Sequence, residues 1–242
     1  PTVSIGNVGQ LTIDLLISSL QAPLVGHLSS DCVVPVVGRD AFDLNSNLLT
    51  TSLDVHECEK HKLVILQQRS PIIKRRQQRF IDELTKWIKD MKFPHVIVYT
   101  SVLACERIDS QLYGPQCRFM STNNNTHLNM ERLAEIFPCL ETRQDIVAVA
   151  DGAAVNQPYI PGSGITKKLL YKFNNENIES VVLLRFSYEA DNIPDAVELF
   201  NLTNTYFNWI DVSCYFQVPE NMKMPPSWSL LFGSHFDQII YQ

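Results

Sequence analysis

The sequence predicts a single α/β domain over residues 1–233, a mostly parallel central sheet with helices on both faces, followed by a flexible tail at 234–242. Val96 to Ser101 is a nearly continuous apolar run, as expected of a central strand covered by helices on both faces, and Val181 to Phe186 is a second strand. Strand-like and helix-like patterns alternate along the chain, which favours interleaved α/β elements over segregated ones. With 242 residues, 45% of them hydrophobic, the chain can bury such a core.

Thr2 to Ile5 is expected as a short buried strand, and Gly6-Asn7-Val8-Gly9 turns from it into a helix reaching about Leu20. Asp14 is the one formal charge in that helix, so most of its faces require cover. Leu24 to Leu28 and Val33 to Val37 are expected strands, and the polar stretch Asp40 to Thr51 a loop. Leu53 to Cys58 and Leu63 to Gln67 form a hairpin around Glu59-Lys60. From Arg75 to Met91, the residues Phe80, Leu84, Trp87, Ile88 and Met91 fall on one helical face, with charge on the other.

Asn123-Asn124-Asn125 marks a turn before a short helix from Thr126 to Phe137, and Ile146 to Ala150 is a further strand candidate. Pro161-Gly162-Ser163-Gly164 leads into a helix over Ile165 to Lys172. Asn192-Ile193-Pro194-Asp195 has the form of a capped helix start, with proline in the first turn and an acid three residues after the cap, and predicts a helix to about Ile210. That helix carries two apolar stripes. Ala196, Phe200, Phe207 and Ile210 lie on one; Leu199, Leu202, Tyr206 and Trp209 on the other, which either the chain itself or a partner subunit must cover. After Pro225-Pro226, Ser227-Trp228 starts a short helix through Phe232.

The net charge of −6 argues against nucleic acid or an anionic membrane as the main partner, because phosphate binding needs clustered cations. No Lys or Arg precedes Arg39 and no run reaches eighteen apolar residues, so neither a signal peptide nor a membrane span is expected. Six cysteines without a C-x-x-C pair fit reduced thiols in a cytosolic core, and neither they nor the His56-to-His61 cluster makes a convincing metal site.

Two glycine-bearing turns resemble anion cradles. Gly6-x-x-Gly9 between a strand and a helix could be half of a dinucleotide fingerprint with Asp31 as the ribose acid, although Ser4 stands at the first glycine position. Gly162 to Lys168 could hold a phosphate at a helix start, although Thr166 precedes Lys167 in the reverse of the P-loop order. Tight packing explains both turns equally well. A nucleotide- or phosphate-binding α/β enzyme using them is the alternative function. Lys74-Arg75-Arg76 with Arg79 is a solvated basic face or a contact for an acidic protein. No nucleophile elbow or H-E-x-x-H motif occurs, and no catalytic residue is assigned. The ending Ile240-Tyr241-Gln242 has the form of a docking tail, in which a pocket buries an apolar side chain and a ring while a cation or backbone nest captures a carboxylate.

Four separated segments, Ser4 to Gln10, Ile160 to Lys167, Asp191 to Ala196 and Pro226 to Ser234, together resemble the proteasome assembly chaperone family. Gly6, Asn7, Gly9, Gly162, Gly164, Asp191, Asn192, Asp195 and Trp228 carry the resemblance. It implies a protein without catalytic activity or cofactor that pairs with proteasome assembly chaperone 1 as a heterodimer. The pair would promote assembly of the proteasome α-subunit ring, cap its outer face, and work in the cytoplasm and nucleus. It further implies that Ile240, Tyr241 and Gln242 match a hydrophobic-Tyr-any tail inserting between α subunits.

Overall fold

The computed structural model describes residues 1–123, 125–141, 158–210 and 222–230. In chain order the elements are α1 (Val8–Leu20), β1 (Leu24–His27), β2 (Val37–Arg39), β3 (Leu49–Thr51), β4 (Leu53–Cys58), β5 (Leu63–Gln68) and α2 (Gln77–Asp90). There follow β6 (Val96–Leu103), β7 (Cys117–Ser121), α3 (Met130–Ile136), α4 (Thr166–Asn175), β8 (Ser180–Ser187) and α5 (Ile193–Phe207). The strand expected at Ile146 to Ala150 and the tail at 234–242 lie outside the described residues.

The expected mostly parallel sheet is corrected. Strands order as β1-β4-β5, β2-β3 and β6-β8-β7, and β6 with β8 is the one parallel pairing among the described strands. An apolar run reports that both faces are covered, but it carries no information on the direction of the neighbouring strand. The short 59–62 turn between β4 and β5 makes their pairing antiparallel.

Helices do cover both faces of β6 and β8. Tyr99, Val181 and Leu183 join one core with α1 and α5 residues such as Leu15 and Phe200. Their neighbours Val98, Val182 and Leu184 join a second core with Phe80 and Ile81 of α2 and Leu169 and Phe173 of α4. This is the period-two alternation of a strand between two hydrophobic layers.

Other expectations fail for local reasons. Pro35 cannot donate to a ladder, so Val33 makes one isolated bridge to Ile72 and the strand begins only at Val37. Its partner β3 occupies the end of the expected 40–51 loop. Thr2 to Ile5 forms no strand, although Thr2 N–H donates to Tyr99 O at 3.0 Å. α3 begins at Met130, because the Asn129 side chain accepts from Arg132 N at 3.0 Å. α5 stops at Phe207, where Asn208 turns left-handed at φ 52°, and the Asn204 side chain then closes on both polar groups of the Ile210 backbone. The segment after Pro225 is a single 3-10 turn, Pro226–Leu230.

The expected cover for α1 exists, and Asp14 is paired. Its carboxylate accepts from Gln67 Nε2 at 2.7 Å and Arg69 Nη2 at 3.0 Å. Arg69 Nε lies 3.6 Å from the fully buried Asp54, whose other oxygen accepts from Thr51 N–H at 2.9 Å and sits 2.9 Å from His27 Nδ1. One arginine thereby ties α1 to the β1-β4-β5 sheet, and its guanidinium also lies over the Phe42 ring. A second charged group joins α2 to α4: Glu176 pairs with Lys89 at 2.7 Å and Lys172 at 3.0 Å, and Lys172 reaches Asp82 at 3.0 Å.

Two measurements check this packing. Leu199 is fully buried whereas Leu202 is half-buried; Leu199→Ala should therefore lower unfolding free energy in urea by about 3 kcal/mol, and Leu202→Ala by under about 1.5 kcal/mol. The Lys89 and Lys172 ammonium groups hold the Glu176 carboxyl down to about 2 from 4.5. A depressed carboxyl stabilises above its unfolded value, so this contribution should be intact above about pH 5 and fade as pH falls from 4.5 towards 2. Acid titration of stability should be shallower in Glu176→Gln than in the parent over that window.

Candidate functional site

Three of the four motif segments meet at the C-terminal ends of the parallel strands β6 and β8. The first enters as Thr2 to Gly9. Gly6 and Asn7 adopt left-handed φ angles of 61° and 54°, which turn the chain into α1. At Gly9 a Cβ would sit 2.6 Å from Tyr99 O, so only glycine lets α1 rest directly on the β6 backbone. The second segment is the 160–166 loop. Ile5 N–H donates to Gly162 O at 2.9 Å, Leu103 N–H donates to Pro161 O at 3.0 Å, and a Cβ on Gly164 would collide with Val3 O. The third is the loop after β8, where a Cβ on Gly6 would strike the Asn192 side chain and lie 2.8 Å from Tyr188 O.

Buried hydroxyls close the junction. Thr2 Oγ1 lies 2.9 Å from Thr100 Oγ1 and 2.8 Å from Thr166 Oγ1, and Thr166 donates to Ser163 O at 2.7 Å. Beside them Ser101 Oγ donates to Ser4 Oγ at 2.8 Å and also reaches Ile5 O. All six side-chain hydroxyl residues, Thr2, Ser4, Thr100, Ser101, Ser163 and Thr166, are buried. Their partners are one another, main-chain carbonyls and the Ser101 N–H, which donates to Ser4 Oγ at 3.1 Å. Among the described residues no imidazole, thiol or carboxylate hydrogen-bonds to the cluster, so nothing there would activate a hydroxyl as a nucleophile.

The same geometry answers the anion-cradle reading. The open faces of Gly9 and Gly164 are directed at the carbonyl oxygens of Tyr99 and Val3, and that of Gly6 at the Asn192 side chain and Tyr188 O. Those oxygens fill the space and would repel a phosphate, whereas a cradle presents N–H groups. Asp31, the expected ribose acid, instead pairs with Arg76 at 3.1 Å and Arg79 at 3.0 Å. These pairs also occupy two arginines of the basic stretch. Among the described residues Asp31, Cys32 and Glu83 could in principle converge on a metal ion, but Arg79 already bridges the two carboxylates. His56 and Cys58 are both buried in β4, and the five described cysteines are free thiols.

The remaining positions take structural roles of their own. Asn192 does not cap α5: its Nδ2 donates to Ala190 O at 2.8 Å, and Asp191 Oδ1 accepts from Ile193 N–H at 3.1 Å in its place. Asp195 pairs with Arg185 of β8 at 2.8 Å, and Glu198 joins the same guanidinium at 2.7 Å. Trp228, from the fourth segment, is buried away from the junction, where Ser227 N–H donates to Ala41 O at 3.3 Å.

On the second stripe of α5, Leu199 and Tyr206 are covered by this chain, and Tyr206 donates to Asn129 O at 3.1 Å. Of the two covers open to this stripe, the chain itself supplies the one over Leu199 and Tyr206. Leu202 and Trp209 stay half-buried, with Trp209 stacked on Phe207 at 4.4 Å. Ile240, Tyr241 and Gln242 lie outside the described residues. Sequence reasoning missed the hydroxyl cluster and the Arg69 and Arg185 networks. Asp14, isolated in an apolar helix, was a visible signal for the Arg69 network alone.

A mixed α/β domain whose glycine motifs close on its own backbone is an interlocked scaffold, not a phosphate pocket. The chain belongs to the PAC2 family, whose model matches residues 1–197. It is 36% identical over 247 residues to Proteasome assembly chaperone 2 of Xenopus tropicalis, covering 100% of this chain and 93% of that protein. The Homo sapiens protein of that name is 34% identical over 243 residues, covering 97% and 90% respectively. The fold is similar to Pyrococcus furiosus PbaA, described as an archaeal homolog of proteasome-assembly chaperone, with a TM-score of 0.60 at 15% identity over 88% of this chain and 80% of that one.

Gly164, at φ +62° and against Val3 O, tests the junction. Gly164→Ala should lower unfolding free energy by more than about 2 kcal/mol. Gly26→Ala, in β1 with nothing within 4 Å, should leave stability equal or slightly raised. Chemical denaturation of the two variants beside the parent decides it.

Proposed function

We propose that this chain is a proteasome assembly chaperone that acts by binding and not by catalysis. The observation that carries the reading is similarity along the whole chain, at 36% identity, to a protein named Proteasome assembly chaperone 2. The interlocked motifs are consistent with it, since their glycines pack against the chain's own backbone and supply rigidity. On the family resemblance the chain pairs with proteasome assembly chaperone 1, and the heterodimer promotes assembly of the α-subunit ring and caps its outer face. It would do so in the cytoplasm and nucleus.

The segment Ile240-Tyr241-Gln242 would add one contact, its isoleucine and tyrosine entering a pocket between α subunits. Burying the two side chains contributes roughly 1.5 to 3 kcal/mol each. Ordering the backbone costs on the order of 1 to 2 kcal/mol per residue. The tail is therefore a weak ligand alone. It gains strength when a partner subunit or body contact holds it near its pocket, because the second contact becomes intramolecular.

Co-purification of the tagged chain during α-ring assembly tests both claims. The expected result is recovery of proteasome assembly chaperone 1 together with α subunits. Deletion of residues 240–242 should then reduce α-subunit recovery several-fold and leave the heterodimer intact. Absence of α subunits from the parent sample overturns the chaperone assignment, whereas unchanged recovery after deletion overturns only the role of the tail.

A further inference from the structure

The sheets β1-β4-β5 and β6-β8-β7 do not pair with each other, yet they share one layer of the domain. Their side chains show this. Leu63 and Ile65 of β5 enter the same core as Ile97 and Tyr99 of β6, beside α1. Leu66 of β5 enters the opposite core with Val96 and Val98 of β6, beside α2 and α4. Between the two strands lies a cavity of about 190 Å³, lined by residues 62–66 on the β5 side and 93–99 on the β6 side. It is a slot between two strand edges, with apolar helix residues such as Leu16 and Trp87 above and below it.

Both edges turn unmet main-chain groups into the slot. On β6, Val96 N–H donates to Glu179 O at 2.9 Å, so the even-numbered residues bond towards β8 and the odd-numbered ones face away. The odd set agrees: Tyr99 O accepts from Thr2 N–H at 3.0 Å, and Ser101 N–H donates to Ser4 Oγ at 3.1 Å. That leaves Tyr99 N–H and both main-chain groups of Ile97 without a partner among the described residues. On β5, Arg69 N–H donates to Ser52 O at 2.9 Å, so Gln68, Leu66 and Val64 face away from β4. Gln68 O accepts from Gln10 Nε2 at 3.0 Å, while Leu66 and Val64 have no outward partner among the described residues. Main-chain groups between hydrophobic layers are seldom left unpaired, and an open strand edge is a template for another strand.

We propose that the slot receives one extended apolar strand, which bonds to the edges of β6 and β5 together and joins the two sheets into one. Residues 2–4 set its direction. Thr2 meets Tyr99 and Ser4 meets Ser101, so this segment runs parallel to β6, and its line continues backwards past Pro1 towards Ile97. Pro1 itself lines the slot. The occupant is accordingly a segment joined to the chain through Pro1, whose last carbonyl meets Tyr99 N–H; a separate peptide would have to abut Pro1 end to end. Because both faces of such a strand are covered, it is apolar at successive positions and not only at alternate ones. The hydroxyl junction and the slot are then two ends of one strand position. The inference stands on this geometry and does not depend on the proteasome as partner.

The test fuses an extension of about five Val, Ile and Thr residues ahead of Pro1 of the full chain, enough to run along the open part of the β6 edge. A Gly-Ser extension of equal length and the parent chain serve as references. Amide hydrogen exchange followed by NMR reads Ile97 and Tyr99, with Leu183 in β8 as the check on the fold. In the apolar fusion the Ile97 and Tyr99 amides should exchange at least about tenfold more slowly than in either reference, and the thermal midpoint should rise. Proline at the centre of the extension should remove the protection, because it takes away a donor from the ladder. Unchanged exchange at Ile97 and Tyr99 in the folded apolar fusion overturns the proposal, as does an apolar fusion that fails to fold where the Gly-Ser fusion folds. Equal protection of the parent chain by the same sequence as a free peptide overturns the attachment through Pro1 and assigns the slot to a strand from a partner.

Discussion

The close approach of residues 2–9 to the backbones on either side of them is the constraint on which the domain depends. α1 can rest on β6 only because Gly9 has no Cβ, and the 160–166 loop can cross Val3 only because Gly164 has none. Once those backbones touch, the hydroxyls of Thr2, Thr100 and Thr166 are sealed from water and must satisfy one another. The parallel pairing of β6 with β8 follows from the same closure. Leu103 N–H at the end of β6 bonds to Pro161 O on the approach to α4, and α4 leads directly into the start of β8. Backbone contact thus sets the topology, and the hydroxyl network makes one register preferable to its neighbours.

Much of this was legible in the sequence where a single physical rule dominated. The α2 face followed from its helical spacing, the β4–β5 hairpin from two apolar runs about a short turn, and β8 from the four consecutive apolar residues Val181 to Leu184. Direction was not legible, since hydrophobicity is the same whichever way a neighbour runs. The β2–β3 ribbon was hidden because its residues are exposed, and an exposed three-residue strand leaves little hydrophobic pattern. The glycine motifs were visible as motifs but ambiguous in purpose. A glycine beside a phosphate and a glycine beside a carbonyl read alike until the neighbouring backbone is placed.

α5 illustrates how a sequence pattern underdetermines its cover. Its two stripes required two covers, and the chain supplies both for the residues nearest the helix centre, through the β6-β8-β7 sheet and α1 on one side and α3 on the other. What remains for any partner is the half-buried edge at Leu202 and Trp209. Charge shows the converse. Asp14 looked anomalous in an apolar helix, yet Arg69 and Gln67 reach it from β5 and the residue beyond it, so the charge serves to fix α1 against the sheet. A buried pair of this sort adds little net stability over apolar packing, but its loss on one side leaves a charge stranded.

The division of labour within the molecule bears on how a binding protein of this size can work. The hydroxyl network at the junction is buried and holds the surface elements still, while Asn7, Gly162, Gly164 and Asp191 of the same motifs remain exposed. Several exposed apolar side chains, Val34, Val36, Val37, Leu44, Leu48 and Leu49, lie on or beside the thin β2–β3 ribbon, which is tied to the body through Ser52, Ala41 and Phe42 and not through a shared sheet. A two-stranded ribbon is marginal by itself and gains order from whatever packs against it. A rigid core carrying such a ribbon presents several modest contacts at fixed spacing. Modest contacts held at fixed spacing bind through their combined effective concentration, and they separate once the geometry of the partner changes.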